Sequence, residues 1–262
     1  MPSNIDPNRK GSSSPKNVPA DVLRALNKGE IATVNLGEGL AMNTAELLLS
    51  VAPEIGKKGI KPLTNEPAMG LMNRWRTASR ILYEHFGDGA IETFGDHPSD
   101  TVRGWCCMVV GLAEGKGWTL KKRIERIKRF ADDEHFGVRE SAWLGVRDRI
   151  AADVEQSIKL LTPWSKAGSA NVRRFGSEAT RPRGVWCAHI TSLKQDPSPA
   201  LPILEPLRSD GAKYVQDSVA NWLNDAGKTA PDFVIELTDR WLNESPTPET
   251  ARIVKRARRN LD

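Results

Sequence analysis

Apolar residues recur at intervals of three and four positions through most of the chain, which is the spacing of one face of an α-helix. Ile124, Ile127 and Phe130 form one such group. No stretch rich in Val, Ile and Thr alternates apolar and polar positions as a half-buried strand does. Clusters drawn from Pro, Gly, Asp and Ser, as at 96–99 and 196–199, interrupt the pattern at short intervals. The pattern predicts an all-α protein whose helices are mostly about ten to twenty residues long.

Several of the predicted helices resemble one another, with a valine, a long polar residue and then small or apolar residues. These segments begin at Val102, Val138, Val172 and Val215. Their starting positions are 36, 34 and 43 residues apart. A period of this size, with two helices in each unit, is typical of HEAT-type repeats. The last unit is the clearest, with a first helix over 199–208 and a second over 213–225. Because one helix pair cannot bury its apolar face alone, we predict a HEAT-like α-α superhelix, a solenoid with a concave face, forming a single domain over 18–262.

Composition narrows the class of protein. The chain has 262 residues, of which 39% are hydrophobic, enough to build a substantial core. It has no run of about 18 apolar residues to span a membrane, so we expect a cytoplasmic protein in a bacterial-type, nucleoid-associated pool. Residues 1–17 are polar and predict a disordered tail, the alternative being an arm that contacts phosphate.

The cysteines and histidines indicate neither disulfides nor a metal. The three cysteines include two adjacent ones and no C-x-x-C pair, so they predict reduced thiols. The four histidines are scattered. We therefore expect no metal and no cofactor.

Charge favours a polyanionic partner without identifying it. Lys and Arg number 38 against 33 Asp and Glu, a formal net charge of +5. Eight tryptophans accompany only two tyrosines, so tryptophan has an unusually large part in this chain.

The densest group of candidate functional residues lies at 173–186, where four arginines surround Glu178 and Trp186. Arg174 and Glu178 are four positions apart, so they share a helix face; the alternative to a site is an ordinary surface ion pair. Pro182 takes the chain out of the helix at about Arg181. A basic loop after a helix that carries a carboxylate suits a phosphate backbone with a positive charge nearby, and a purely structural loop is the alternative.

Three stretches of the chain, 136–143, 173–186 and 214–225, resemble in order and spacing the HEAT-like alkylpurine DNA glycosylases of the AlkC and AlkD superfamily. The AlkC branch is more similar in these three stretches. The Trp-Asp-x-x-x-Asp-like stretch expected of the AlkD branch is absent, so the base preference of that branch is not implied. The similarity is dense from about residue 102 to 241. Some AlkC-type proteins carry a C-terminal immunoglobulin-like domain, and we expect none here, since the chain ends on a helical pattern.

The resemblance implies a site made of carboxylates, tryptophans and arginines. The implied catalytic carboxylates are Glu178 as the principal one, Glu140 and Asp225. The residues expected to contact the lesion or its sugar are Trp186, Trp143 and Trp222. The residues expected to bind the DNA backbone are Arg174, Arg181, Arg183 and Arg139.

The resemblance implies a monomeric DNA glycosylase that hydrolyses the N-glycosidic bond of cationic alkylated bases in double-stranded DNA, without flipping the base. The first candidate substrate is 3-methyladenine; 7-methylguanine and methylated cytosine stay open. No lysine lies in the matched carboxylate motifs to form a Schiff base, so we expect a monofunctional enzyme. The alternative is a catalytically silent HEAT-repeat solenoid that binds nucleic acid or serves as a protein scaffold. Such a binder has no need of carboxylates, which repel phosphate.

Overall fold

The computed structural model describes residues 5–65 and 68–261, and this part of the chain forms sixteen α-helices joined by short 3-10 turns and loops. No β-strand occurs among these residues, so the prediction of an all-α fold is confirmed. The helices are α1 Ala20–Asn27, α2 Leu36–Ala41, α3 Thr44–Val51, α4 Gly56–Gly59, α5 Leu71–Phe86, α6 Gly89–Phe94, α7 Asp100–Leu112, α8 Leu120–Ala131, α9 Phe136–Ala152, α10 Val154–Leu161, α11 Ala170–Ala179, α12 Thr191–Gln195, α13 Leu201–Leu204, α14 Lys213–Gly227, α15 Pro231–Glu244 and α16 Pro248–Ala257.

The four valine-led segments of the repeat all lie in α-helices, namely α7, α9, α11 and α14. The second helix of the last predicted unit is α14. The continuous first helix predicted over 199–208 is wrong, because this stretch consists of 3-10 turns around the short α13. Pro202 and Pro206 explain the break, since proline has no N–H to donate and its ring disturbs the preceding turn.

The chain divides into two compact units. The first comprises Met1–Gly115 and His135–Gly145, and the second comprises Lys116–Glu134 and Val146–Asp262. The first unit therefore holds α1 to α7 and the beginning of α9, and the second holds α8, the rest of α9 and α10 to α16. The single repeat domain that the sequence predicts over 18–262 stays a prediction.

The core of the first unit is built around α7, in which residues 100–111 are all buried. Cys106 and Cys107 are buried in the middle of this helix. Gly145 of α9 lies against it so closely that a Cβ there would collide with the carbonyl of Cys107. This close approach holds in place the first part of α9, which carries Glu140.

Residues 5–17, for which the sequence predicts a disordered tail, have defined contacts in the first unit. The Arg9 guanidinium donates from Nη2 to Glu38 Oε2 at 2.7 Å and to the Ala32 carbonyl at 2.8 Å. Gly11 has a φ of 65° and packs closely against Val34. Composition cannot reveal such contacts, because they depend on one buried carboxylate. Residues 1–4 of the predicted tail lie outside the described residues.

The second unit packs α11 against α14, and α14 against α16. Ser177 of α11 and Ser218 of α14 meet through a hydrogen bond of 2.7 Å between their Oγ atoms. Both residues are buried. Their small side chains keep the two helices close, which brings the charged residues at the end of α11 to those of α14.

Candidate active site

Glu178 lies in the last turn of α11, which ends at Ala179. Arg181 precedes Pro182, and a residue before proline is disfavoured in the helical conformation, so the chain leaves the helix where the sequence predicts. A carboxylate in this position is unfavourable, because the C-terminal end of a helix carries a partial negative charge. Glu178 is also only 4% exposed, so its charge depends on nearby cations.

Three side chains bind the Glu178 carboxylate. Arg181 Nη1 donates to Oε1 at 2.8 Å, and Ser218 Oγ donates to Oε2 at 2.7 Å. Arg174 Nη2 forms an ion pair with Oε2 at 3.3 Å, the contact between positions i and i+4 that the spacing predicts. Glu178 is therefore a fixed and well-compensated anion.

Arg181 joins Glu178 to a second carboxylate. Its Nε and Nη2 atoms donate to Asp225 Oδ2 at 2.9 and 2.7 Å. Asp225 lies on α14 and also accepts from Lys228 Nζ at 3.2 Å, through Oδ1. Because carboxylates take these Arg181 donors, the phosphate contact expected for Arg181 stays a prediction.

The surrounding charges keep Glu178 and Arg181 ionised. Burial acts to raise the pKa of Glu178, but the charges of Arg174 and Arg181 and the hydrogen bonds from Arg181 and Ser218 outweigh it, so the pKa lies below its ordinary value. Burial likewise acts to lower the pKa of Arg181, and the two carboxylates outweigh it, so that pKa is raised. Glu178 is thus a carboxylate, and not a carboxylic acid, at neutral pH.

We expect Glu178 to make the free energy of unfolding depend on acid pH. The folded state lowers its pKa, so its stabilising contribution is present above the ordinary value of 4.5 and is lost as the pH falls through the folded pKa. Denaturant titrations at neutral pH and at a pH of about 3 should show a smaller acid-induced loss in Glu178→Gln than in wild type. If acid lowers the free energy of unfolding equally in the two proteins, Glu178 is not the source of the pH dependence.

Three residues that contact the predicted charged residues were not predicted as site residues, namely Tyr214, Ser218 and Lys228. With Arg174, Glu178, Arg181 and Asp225 they form one charged cluster. The Tyr214 ring lies 4.2 Å from the Arg174 guanidinium carbon and supports that side chain by cation–π contact. Ser218 and Lys228 bind the two carboxylates. The sequence does hold a signal for two of them, because Tyr214, Ser218 and Asp225 share one face of a helix at positions i, i+4 and i+11.

The loop after α11, residues 180–190, presents apolar side chains to solvent. Its base is closed by a hydrogen bond of 3.1 Å from the Ile190 N–H to the Pro182 carbonyl. Arg183 Nε donates to the carbonyl of Asp225 at 3.2 Å. At the tip, Val185 is 75% exposed and Trp186 is 54% exposed. Trp186 is therefore placed where a bound molecule can contact it.

Trp222 lies in a different setting from Trp186. Its side chain is completely buried, and its indole N–H donates to the Thr180 carbonyl at 3.1 Å. The structure does not bring Trp222 to a surface at which a lesion could contact it. In the structure, Trp222 packs α14 into the core and holds the chain just after α11 through Thr180.

The other predicted site residues belong to the first unit. Trp143 Nε1 donates to Glu140 Oε2 at 2.8 Å, and the Trp143 side chain is buried while Glu140 is half-buried. Arg139 is half-buried on the same helix. The second unit brings together the remaining charged residues of the predicted site, namely Arg174, Glu178, Arg181, Arg183 and Asp225.

Among the described residues, no group of three or more His, Cys, Asp and Glu side chains is arranged to hold a metal ion. Within residues 5–65 and 68–261, no helix has the length and apolar character that would let it cross a membrane.

Comparison with known proteins shows which fold this is. No family model matches the chain. The uncharacterized protein YhaZ of Bacillus subtilis (strain 168) is 42% identical over 128 residues, which are 49% of this chain and 35% of that protein. The structure of smu.31 from Streptococcus mutans UA159 matches 84% of this chain and 100% of that one, with 17% identity and a TM-score of 0.55.

The chain is also similar to the Pseudomonas fluorescens alkylpurine DNA glycosylase AlkC, solved bound to DNA containing an abasic site analog. The match covers 83% of this chain and 61% of that chain, with 24% identity and a TM-score of 0.63. This chain thus spans less than two thirds of the length of AlkC, and the YhaZ match about a third of that protein. The chain has the helical-repeat fold of the alkylpurine DNA glycosylase AlkC.

Proposed function

We propose that this protein is a monofunctional DNA glycosylase that hydrolyses the N-glycosidic bond of cationic alkylated bases in duplex DNA. The observation that carries the proposal is the buried, ionised Glu178, held at the C-terminal end of a helix where a carboxylate is unfavourable. Such a local conflict is typical of functional positions. The AlkC-like fold and the exposed Trp186 on an arginine-containing loop support the same function.

The chemistry of this reaction suits a carboxylate that stays ionised. An N3- or N7-alkylated purine already carries a positive charge, so its glycosidic bond breaks without protonation of the leaving base. What needs stabilisation is the oxocarbenium-like sugar, and fixed carboxylates stabilise it electrostatically. Glu178, with its lowered pKa, is suited to this task and unsuited to that of a general acid. Asp225, which shares Arg181 with Glu178, places a second negative charge close to the first.

The roles proposed for the other site residues follow from how far their side chains are exposed to solvent. Trp186 would pack against the deoxyribose or the cationic base, a cation–π contact being worth about 0.5 to 2 kcal/mol. Arg183, half-buried at the base of the exposed tip, and Arg174 would contact backbone phosphates. Glu140 would orient the attacking water or add to the negative charge, with Trp143 holding it in place. In this proposal the base stays stacked in the duplex, with 3-methyladenine as the first substrate.

A monofunctional reaction is proposed because the lysine beside Asp225 is already bound to a carboxylate. Lys228 Nζ lies 3.2 Å from Asp225 Oδ1 in an ion pair. A Schiff base would require this amine to leave its partner and attack the sugar. The reaction should therefore leave an abasic site without cutting the strand.

The test is to incubate the purified protein with methylated duplex DNA and to quantify the released bases. We expect 3-methyladenine to be released above the uncatalysed background, and borohydride to trap no covalent protein–DNA adduct. DNA binding without base release would instead favour the catalytically silent solenoid. A trapped adduct would contradict the monofunctional mechanism alone.

A further inference from the structure

A buried arginine that belongs to none of the predicted sites holds the loop of the candidate active site. Arg147, on the part of α9 that belongs to the second unit, is 1% exposed. Its Nη1 donates to the Ala179 carbonyl at 2.6 Å, and its Nη2 donates to the carbonyls of Arg181 at 2.6 Å and Ala188 at 3.4 Å. In the described residues, its hydrogen-bond partners are all backbone carbonyls.

Burying a guanidinium without a carboxylate partner is costly. Burial lowers the pKa of Arg147, and its Nε atom has no hydrogen-bond partner among the described residues. Part of the cost is offset because Ala179 ends α11, where unpaired carbonyls and the helix dipole favour a cation. An arginine is needed here because several carbonyls converge on one rigid fork of donors.

The three carbonyls that Arg147 binds lie on both sides of the exposed loop tip. Ala179 and Arg181 precede the tip, and Ala188 follows it. The hydrogen bond between Ile190 and Pro182 closes the same base. One side chain therefore fixes both ends of the segment that carries Trp186.

We propose that Arg147 is a positioning residue for the glycosylase site, acting through the loop backbone on Arg181 and Trp186. By fixing the Arg181 backbone, it sets where that guanidinium lies between Glu178 and Asp225. By fixing Ala188, it sets the height and direction of the Trp186 ring. The effect on catalysis rests on the proposed function, whereas the effect on the loop does not.

Limited proteolysis of the full-length protein tests the effect on the loop. Trypsin can cut after Arg183, whereas it cuts poorly after Arg181 because proline follows. In Arg147→Met, which keeps an unbranched apolar stem but removes every donor, we expect cleavage after Arg183 to be at least about tenfold faster than in wild type. Mass spectrometry of the fragments identifies the cut bond.

Arg173→Met is the matched control for this measurement. Arg173 also donates to two backbone carbonyls, those of Ala167 at 2.9 Å and Gly168 at 2.7 Å, and it pairs with Asp210. Those contacts lie at the other end of α11. Its loss should therefore destabilise the fold without exposing the bond after Arg183. If Arg147→Met and Arg173→Met are cut there equally fast, the effect is general destabilisation and the proposal fails.

Binding and single-turnover excision with methylated duplex test the catalytic part. We expect Arg147→Met to raise the apparent Kd for DNA about tenfold and to lower the maximal excision rate, with Arg147→Lys between it and wild type. A merely structural role would lower only the active fraction and leave the Kd unchanged, and that result would overturn the catalytic part. If Arg147→Met does not fold, Arg147→Lys decides, since wild-type cleavage and Kd in that variant would overturn the proposal.

The two proposals fail in distinguishable ways. If wild type releases no methylated base, the proposed function fails, while the cleavage after Arg183 still shows whether Arg147 holds the loop. If wild type releases bases and Arg147→Met is neither cut faster nor weakened in DNA binding, the glycosylase stands and the role of Arg147 is refuted.

Discussion

Glu178→Gln is expected to release 3-methyladenine from methylated duplex DNA at least about tenfold more slowly than wild type, equivalent to about 1.4 kcal/mol in the activation barrier. The amide keeps the size of the side chain and can still accept from Ser218, but it cannot stabilise the positive sugar by charge. Single-turnover excision at saturating enzyme measures the effect. Affinity for the duplex should change little, because the buried Glu178 is not proposed to bind phosphate.

The control for this variant is Glu205→Gln. Glu205 also pairs with two arginines of the second unit, Arg208 and Arg240, but it lies outside the candidate site. Rates are compared per folded molecule, since both substitutions remove a carboxylate that pairs with two arginines. If the two variants excise equally fast, Glu178 has no special part in the reaction.

Arg181→Ala is expected to lower the free energy of unfolding by about 3 kcal/mol, because removing one partner of a buried ion pair leaves uncompensated charge. Two carboxylates, Glu178 and Asp225, lose a shared partner in this variant. The expected cost lies at the lower end of the range for buried pairs, since Arg174 and Lys228 remain in contact with them. Denaturant unfolding at neutral pH measures it.

A second bridging arginine provides the matched control for Arg181. Arg240 also contacts two carboxylates, those of Glu205 and Glu244, but its side chain is 45% exposed. Its loss should cost less than about 1 kcal/mol, because water screens exposed ion pairs. Adding Asp225→Asn to Arg181→Ala should recover part of the stability, since one of the orphaned charges is then removed. Equal costs for Arg181→Ala and Arg240→Ala would contradict the buried bridge.

The sequence predicts the helical class and the elements of the second unit best where the apolar pattern is local. The helix α14 and the end of α11 before Pro182 follow directly from spacing and proline chemistry. The continuous helix predicted over 199–208 is wrong because only the local apolar spacing was followed. The apolar positions there keep helical spacing, but the prolines prevent a continuous helix.

Burial of Trp222 could not be predicted from the helical pattern. Nearly all positions of α14 from Val215 to Gly227 are buried, and the two that are not, Asp217 and Asn221, share one narrow face. The helical pattern marks the wide buried surface but does not say which of its residues line a site. The spacing alone therefore could not show that Trp222 is covered, whereas Trp186 lies on the loop after Pro182 and is exposed.

Arg147 illustrates a different limit. Its partners are backbone carbonyls, which every residue possesses, so no residue type at any spacing indicates the contact. Arg149, two positions later, has the same side chain and only partial burial. Only the folded chain distinguishes the two.

The charges around Glu178 have a consequence for how a polyanion approaches this face. Within the cluster, Arg174, Arg181 and Lys228 supply one more formal charge than Glu178 and Asp225 carry. A phosphate that comes within a Debye length of about 10 Å at 0.1 M salt therefore meets a locally cationic patch, although two carboxylates lie inside it. Carboxylates that are proposed to stabilise a positive sugar are thus compatible with the approach of a nucleic-acid strand to the same few residues.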